Sequence, residues 1–475
     1  MKKWTFLTTL LALAILAVVP APAFAATPKI IDVQTSGTYT YIFKSDNSVW
    51  QFGYFKSVPT RLDLPQPAKK IVAADYDTIV LFEDGTVWRY PREEHLTPAP
   101  IPGLTDIIDL ANGRIHTLAL KADGTVWGWG TNFQGQLGNG QLSDSWDVPV
   151  QKAQGLTKVK AIAAGDNSLA LTEQGEVYTW GGWPHSSRVT AANPEGYRIT
   201  PVKVHNLPAI TAIDMHGTNV LALDVSGKVH TWGQNFLQMK STYDDGGTLT
   251  APVQIPGIDN VQAIALVHQA LFLKTDGTLY TAGVAPGQYY NLTQAQIDQQ
   301  LRPHRISSLT DVTTIDASVG QLFALDTKGE LYGWGNGASG YLGDGSVYWK
   351  SYQERPTRIL DTGTVIINSV RQDYPGVIHQ GVTMVPLRKL AEPLGATLGF
   401  EDQTKRVTIS YGGQKVSMLP GDATVTVNGA PIQLGGPIRI YNNETHVPLR
   451  FISELFGAQV AWHADRAEIT VTTAK

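Results

Sequence analysis

No cysteine occurs among the 475 residues. This excludes disulfides, thiolate metal centres, a cysteine nucleophile and a lipid-bearing cysteine anchor. Charge is scarce as well, at 16% of residues, with 41 acidic against 37 basic side chains. No basic cluster interrupts that pattern, so the stripe of Lys and Arg that neutralises phosphates is missing and nucleic acid is not an expected partner. After residue 19 no apolar run approaches the roughly 18 residues that span a bilayer, so no membrane span is expected beyond the N-terminus. Catalytic signatures are also lacking. The eleven His are scattered, H-E-x-x-H and G-x-S-x-G do not occur, and His379, His446 and His463 share the C-terminal region without metal-ligand spacing. The Asp244-Asp245-Gly246-Gly247 loop lacks the alternating carboxylates of an EF-hand and reads as a solvated turn. The expectation is a protein with no cofactor, no metal and no catalytic residue, hence not an enzyme.

The N-terminus reads as a signal peptide over residues 1–26. Lys2 and Lys3 form the positive region, Leu7 to Val19 the apolar core, and Ala23-Phe24-Ala25 the cleavage site. Without those two lysines, 35 basic residues face 41 acidic ones, a net charge of −6. The product is expected to be secreted or associated with the cell envelope, and a cysteine-free exported chain fits a Gram-positive source.

What the chain has in abundance is glycine, 46 residues, together with 12 Trp, and both recur in register. The stretch HTLALKADGTVWGWGTNFQGQLGNG, residues 116–140, centres on Asp123-Gly124, a tight-turn pair between Leu118/Leu120 and Val126/Trp127. Degraded copies occur at 45–53, 83–91, 173–181, 225–233, 275–283 and 327–335. Their turn positions, Asn47, Gly85, Gly124, Gly175, Gly227, Gly277 and Gly329, lie 38, 39, 51, 52, 50 and 52 residues apart, a period that belongs to propellers and arrays. In the third copy Ile107 to Ala111, His116 to Leu120, Thr125 to Trp129 and Val148 to Val150 read as four strands, with Pro149 on the outer edge. Equivalent openings recur six more times. Seven four-stranded units that pack radially leave only short, protected edges, so the expected fold is mainly β, a seven-bladed propeller over 27–361.

The segment 116–140 resembles the repeat of the regulator-of-chromosome-condensation family of propellers, which runs roughly H-t-l-a-L-x-x-d-G-x-v-y-x-W-G-x-n-x-x-G-q-L-G. The seventh copy keeps Gly333-Trp334-Gly335-Asn336 and Gly340-Tyr341-Leu342-Gly343. The resemblance implies the propeller. The nucleotide exchange and chromatin binding of the family's namesake do not fit an exported acidic chain. Some secreted relatives inhibit enzymes through one rim, which favours binding over catalysis. His116 stands at the family's repeat histidine and is expected to bond backbone between blades.

The segments after each third strand vary most and gather on one face. They carry Trp183, Tyr197, Phe236, Tyr243, Tyr289, Tyr290, Tyr341, Tyr348 and Trp349, a candidate binding rim, although such rings also serve to cap the apolar ends of blades. Gln294 to Leu301 reads as a surface helix with Thr293 as its N-cap.

From residue 362 the pattern changes. GVTMVPLRKLAEPLGATLGFEDQTKRVTI at 381–409 matches NETHVPLRFISELFGAQVAWHADRAEITV at 443–471, an offset of 62 residues. Two internal repeats, about 366–411 and 425–473, are expected as small α+β units, each a Val-Pro-Leu-Arg strand, a helix and a hairpin. These halves resemble the copper amine oxidase N-terminal-like stalk domain found in many secreted proteins. The oxidase itself needs three His and a Tyr-derived quinone in an Asn-Tyr-Asp/Glu context, which this chain lacks. Phe400-Glu401 and Trp462-His463 replace that family's usual Trp-Asp. Arg388/Glu392 and Arg450/Glu454 lie four apart, as helix ion pairs or as a ligand-binding pair.

The function expected is that of a non-catalytic binding or scaffold protein. Its propeller face would meet a secreted or cell-surface protein or a cell-wall glycan, and its C-terminal domain would attach it to the envelope or another protein. The alternatives are a secreted inhibitor of an extracellular enzyme and a cell-wall or glycan-processing enzyme.

Overall fold

A computed structural model describes residues 28–74, 77–91, 97–182, 197–234, 236–237, 248–284, 292–318, 320–346 and 352–473. Among these residues seven four-stranded antiparallel sheets follow one another, spanning 30–62, 68–100, 107–152, 159–203, 210–254, 261–305 and 312–358. The first strand of each sheet packs against the first strand of the next, and that of the seventh against that of the first, so the sheets form a closed ring. Every sheet uses four consecutive strands, and closure therefore needs no strand from the far end of the chain.

The Asp-Gly turns explain the repeat. Gly85, Gly124, Gly175, Gly227, Gly277 and Gly329 all have φ between 77° and 80°, a region where a Cβ is penalised. The preceding aspartate locks the turn: Asp123 Oδ1 accepts from the Thr125 N–H at 2.9 Å and from its hydroxyl at 2.6 Å. The turn also docks on the next sheet. Ile107 N–H donates to Gly85 O, Val159 to Gly124, Ile210 to Gly175, Val261 to Gly227 and Val312 to Gly277. The apolar alternation of the strands fills the gaps between sheets, as where Leu118, Leu120 and Val126 meet Ile162, Ala170 and Trp180.

Helix α1 (Gln294–Gln300) begins as expected, with a capping box between Thr293 and Gln296. In the C-terminal part, α2 (Leu387–Ala391) and α3 (Leu449–Leu455) follow Pro386 and Pro448 at their N-caps. The hairpins pair as read, Phe400 with Val407 and Trp462 with Ile469. The two repeats do not, however, stand as separate units. Their Val-Pro strands pair antiparallel, Val385 opposite Val447, Met384 opposite Pro448 and Pro386 opposite His446. Val385 and Val447, 62 apart, thus face each other at a local two-fold, and a shared core holds Leu390, Ile409, Ile452 and Ile469. That sheet has seven strands and a second has five.

The C-terminal domain sits on the first and seventh sheets. Val58 packs with Val377, Met384 and Tyr441, Arg371 pairs with Asp63, and Asn442 N–H donates to Gly345 O at 2.7 Å while Gly345 N–H donates to Ser57 O at 2.9 Å. Among the described residues no helix is long and apolar enough to cross a membrane.

Candidate functional site

Alternating strand direction places the turn after each first strand and the loop after each third strand on one face. The best-preserved of these loops, 131–147, is braced by its own polar groups: Asn132 Oδ1 accepts from Leu137 N–H at 2.9 Å, and Gln136 Oε1 from Gln134 N–H at 2.9 Å. It reaches over the next sheet, where Gln136 O accepts from the Trp180 indole at 2.7 Å and from the Ser168 hydroxyl at 2.8 Å. His116 joins this junction through Ser168 Oγ, 2.7 Å from its Nε2. The histidine therefore links sheets through a hydroxyl and not directly to backbone as the sequence suggested. Because Ser168 donates to Gln136 O, it accepts from His116, which must be the neutral Nε2–H tautomer.

Burial holds the His116 pKa down at about 4, and the same cause lowers His216 and His446 to about 4. A histidine that stays neutral when folded but protonates near 6.5 when unfolded contributes stability that is lost as pH falls from about 6.5 to 4. The unfolding free energy of the full chain, from urea titration, is expected to drop across that window, by up to about 3 kcal/mol from His116 alone. His116→Gln is expected to flatten its share of the slope. An unchanged slope would assign the acid sensitivity to other groups.

Two aromatic groups stand out on the loop-bearing face. Trp146 is 74% exposed, its ring set edge-on to Phe133 at 4.8 Å between centroids. In the first sheet the third and fourth strands are joined by Tyr54 and Phe55, with φ of 41° and 68°. Such a turn ordinarily takes Asn-Gly. Phe55 is nonetheless 61% exposed and Tyr54 41%; their rings are 5.4 Å apart. Bulky side chains in the left-handed region cost about 1–3 kcal/mol each, and here that cost gains little burial for Phe55.

Of the nine rim residues read from sequence, Trp183, Tyr243, Tyr289, Tyr290, Tyr348 and Trp349 lie outside the described residues, as does the side chain of Tyr197. So does the Asp244–Gly247 loop. Phe236 is half-buried against the core between the fifth and sixth sheets. Tyr341 is half-buried in the Gly340–Gly343 turn, which rests on Ser57 and Phe52 of the first sheet. Phe236 therefore caps a blade, while Tyr341 lies near Tyr54 of the first sheet. The reading from sequence missed Tyr54, Phe55, Phe133 and Trp146; the only available signal was a two-residue connection without glycine.

The ring's inner strands carry four acids, Asp32, Asp109, Asp214 and Asp316, and the last two are held by backbone donors of the next sheet. Asp214 Oδ2 accepts from Leu266 N–H of the sixth sheet at 2.6 Å, and Asp316 Oδ2 from the N–H and hydroxyl of Thr35 in the first. Both side chains are half-buried, and desolvation by the surrounding strands pushes them up to about 7 and about 6. They lie two sheets apart in the ring, the charge of Asp316 helps to raise Asp214, and each accepts from backbone donors, which suits cohesion between sheets. Among the described residues no group of three His, Asp or Glu is placed to hold a metal ion.

Arg388 pairs with Glu392 at 3.8 Å on the surface. Arg450 and Glu454 instead line a cavity of about 840 Å³ between the two domains.

Comparison with known proteins divides the chain at the same place. The Copper amine oxidase N-terminal domain model matches residues 364–471, and two models of the Regulator of chromosome condensation (RCC1) repeat match 123–171 and 107–136. The chain thus carries RCC1 repeats followed by a copper amine oxidase N-terminal domain. It is 28% identical over 248 residues to the E3 ubiquitin-protein ligase HERC2 of Mus musculus, covering 50% of this chain and 5% of that protein. It is 26% identical over 275 residues to the Ultraviolet-B receptor UVR8 of Arabidopsis thaliana, covering 56% and 61%. The chain therefore spans less than two thirds of the length of these relatives. The structure of human WBSCR16 aligns with a TM-score of 0.54 at 24% identity, covering 65% of this chain and 86% of that one. Yeast RCC1 (Prp20), from its complex with Kap60, aligns at 0.50 and 19%, covering 61% and 78%. At these identities the likeness is one of fold.

Proposed function

We propose that this chain is an exported, non-catalytic binding protein whose propeller recognises a partner protein through its loop-bearing face. On this reading the C-terminal domain holds the propeller at the cell envelope. The observation that carries it is the pair of exposed aromatic groups, Trp146 with Phe133 and Tyr54 with Phe55. Trp and Tyr dominate binding hot spots, and backbone strain that gains little burial is a mark of function. RCC1-type repeats in proteins as different as a ubiquitin ligase and a light receptor fit a scaffold for recognition more readily than a shared catalytic centre.

The test uses the whole mature chain, immobilised, against culture-supernatant proteins and purified cell walls. A double variant, Trp146→Ala with Phe55→Asn, is expected to weaken retention of the partner by at least about tenfold. Phe55→Asn alone should leave the fold as stable or slightly more stable, because Asn tolerates the left-handed region. Identical retention by both proteins would sink the reading. If the retained protein is an extracellular enzyme that loses activity in a one-to-one complex, the protein is an inhibitor.

A further inference from the structure

We infer that the cavity between the propeller and the C-terminal domain is a binding site for a small organic anion, a carboxylate or phosphate group on an apolar body. This stands apart from the loop-bearing face. The cavity of about 840 Å³ lies between the start of the first sheet, the Lys328-Gly329 turn of the seventh, and α3 with its neighbouring strands. That volume falls within the range of small-molecule sites.

Its base is Lys44, 7% exposed. The ammonium has three donors, but its only hydrogen bond among the described residues is a long one, 3.4 Å, to Thr362 O. It lies 4.3 Å from the centre of the Trp50 ring, and the carboxylates that act on it, Asp361 and Asp46, do so from beyond ion-pair distance. Lys121 and Lys274 end the same strand in other sheets and lie over Trp127 and Tyr280, but both are half-exposed. Of these three lysines Lys44 alone is covered by the C-terminal domain. A buried cation left with one weak acceptor is costly, which an incoming anion would relieve. Burial lowers the lysine to about 8 even though Asp361 and Asp46 favour its charged form.

The rest of the lining fits the same ligand. Arg358 is neutralised by Glu330 at 3.5 Å and Asp361 at 2.8 Å. Arg450 lines the cavity and, unlike Arg388 on the equivalent helix, has no ion pair among the described residues. A guanidinium offers the fork that carboxylate and phosphate oxygens accept. Glu454 is the carboxylate of this lining not engaged by Arg358, and it sets the limit on a ligand's negative charge. Phe451, Trp462, Ile378 and Val382 supply apolar walls.

Isothermal titration of the full chain with N-acetyl-L-phenylalanine, phenyl phosphate and the neutral N-acetyl-L-phenylalaninamide tests this. At least one of the two anions is expected to bind one-to-one at millimolar concentration or below, at least about tenfold tighter than the amide. Whichever anion binds better identifies the head group. Lys44→Met should weaken that anion at least about tenfold and raise the melting temperature, since it removes a buried charge. Arg450→Gln, at an exposed helix position, should weaken it as well and serves if the first variant fails to fold. No binding by either anion, equal binding of the amide, or anion binding unchanged in both variants would overturn the inference.

Discussion

Gly233→Ala is expected to lower the stability of the full chain by about 4 kcal/mol or more. Gly233 is the penultimate residue of the third strand of the fifth sheet, at φ 100°, and a Cβ there would lie 1.9 Å from Thr218 O. The pairing with the fourth strand slips by two residues at this point, between Thr231 and Gly233. The same slip occurs at Gly53 and Gly335, where a Cβ would meet Thr38 O at 2.1 Å and Gly320 O at 2.2 Å. The Trp-Gly pair of the repeat therefore stands opposite a bulge in the fourth strand: tryptophan is the last packed residue and glycine the point at which the chain bends into the loop-bearing face. Gly257 separates backbone strain from collision. Its φ is 78° and nothing lies within 4 Å of the built Cβ, so Gly257→Ala should cost only about 1 kcal/mol. Near-UV circular dichroism melts of the two variants decide the point. Equal losses would show that φ alone, and not the clash with Thr218 O, fixes glycine at that position.

Local features of this kind were legible because each is written in a few adjacent residues. Asp-Gly-Thr announces its own turn, Thr293 and Gln296 announce a helix start, and the alternation of Leu118, Leu120 and Val126 announces a strand with a buried face. The aromatic site was not legible. A tryptophan in a repeat protein belongs by default to the core, as Trp180 does at 1% exposure, and nothing near Trp146 marks it as different. Tyr54 and Phe55 hide a two-residue turn by lacking the glycine that usually reveals one. The C-terminal duplication was legible as a repeat but not as a two-fold, because facing Val385 to Val447 is a matter of long-range pairing. The cavity depends on both domains at once, and Lys44 reads locally as one more surface lysine at a strand end.

Ring closure is the other feature that sequence left open, and Asp316→Ala is expected to expose it. At five successive junctions a turn glycine accepts an N–H from the next sheet; among the described residues Gly329 accepts none from the first. Asp316 replaces that bond, taking the N–H and hydroxyl of Thr35 and the Ala317 N–H. The seam is completed by Phe52 set edge-on to Phe323 at 5.8 Å. Truncation leaves three donors without their acceptor, so a loss of about 2–4 kcal/mol is expected, allowing for water that replaces part of it. Asp214→Ala should cost less, because the Val261 to Gly227 bond still holds its junction. The pH dependence gives a second reading. A carboxyl raised to about 6 in the folded chain, but near 3.8 unfolded, favours folding at low pH, and that contribution is lost as pH rises from about 4 to 6. This slope, about 2 kcal/mol after screening, opposes that of His116 and should vanish in Asp316→Asn. If Asp214→Ala and Asp316→Ala cost the same and neither alters the slope, apolar packing between the first and seventh sheets closes the ring without the acid.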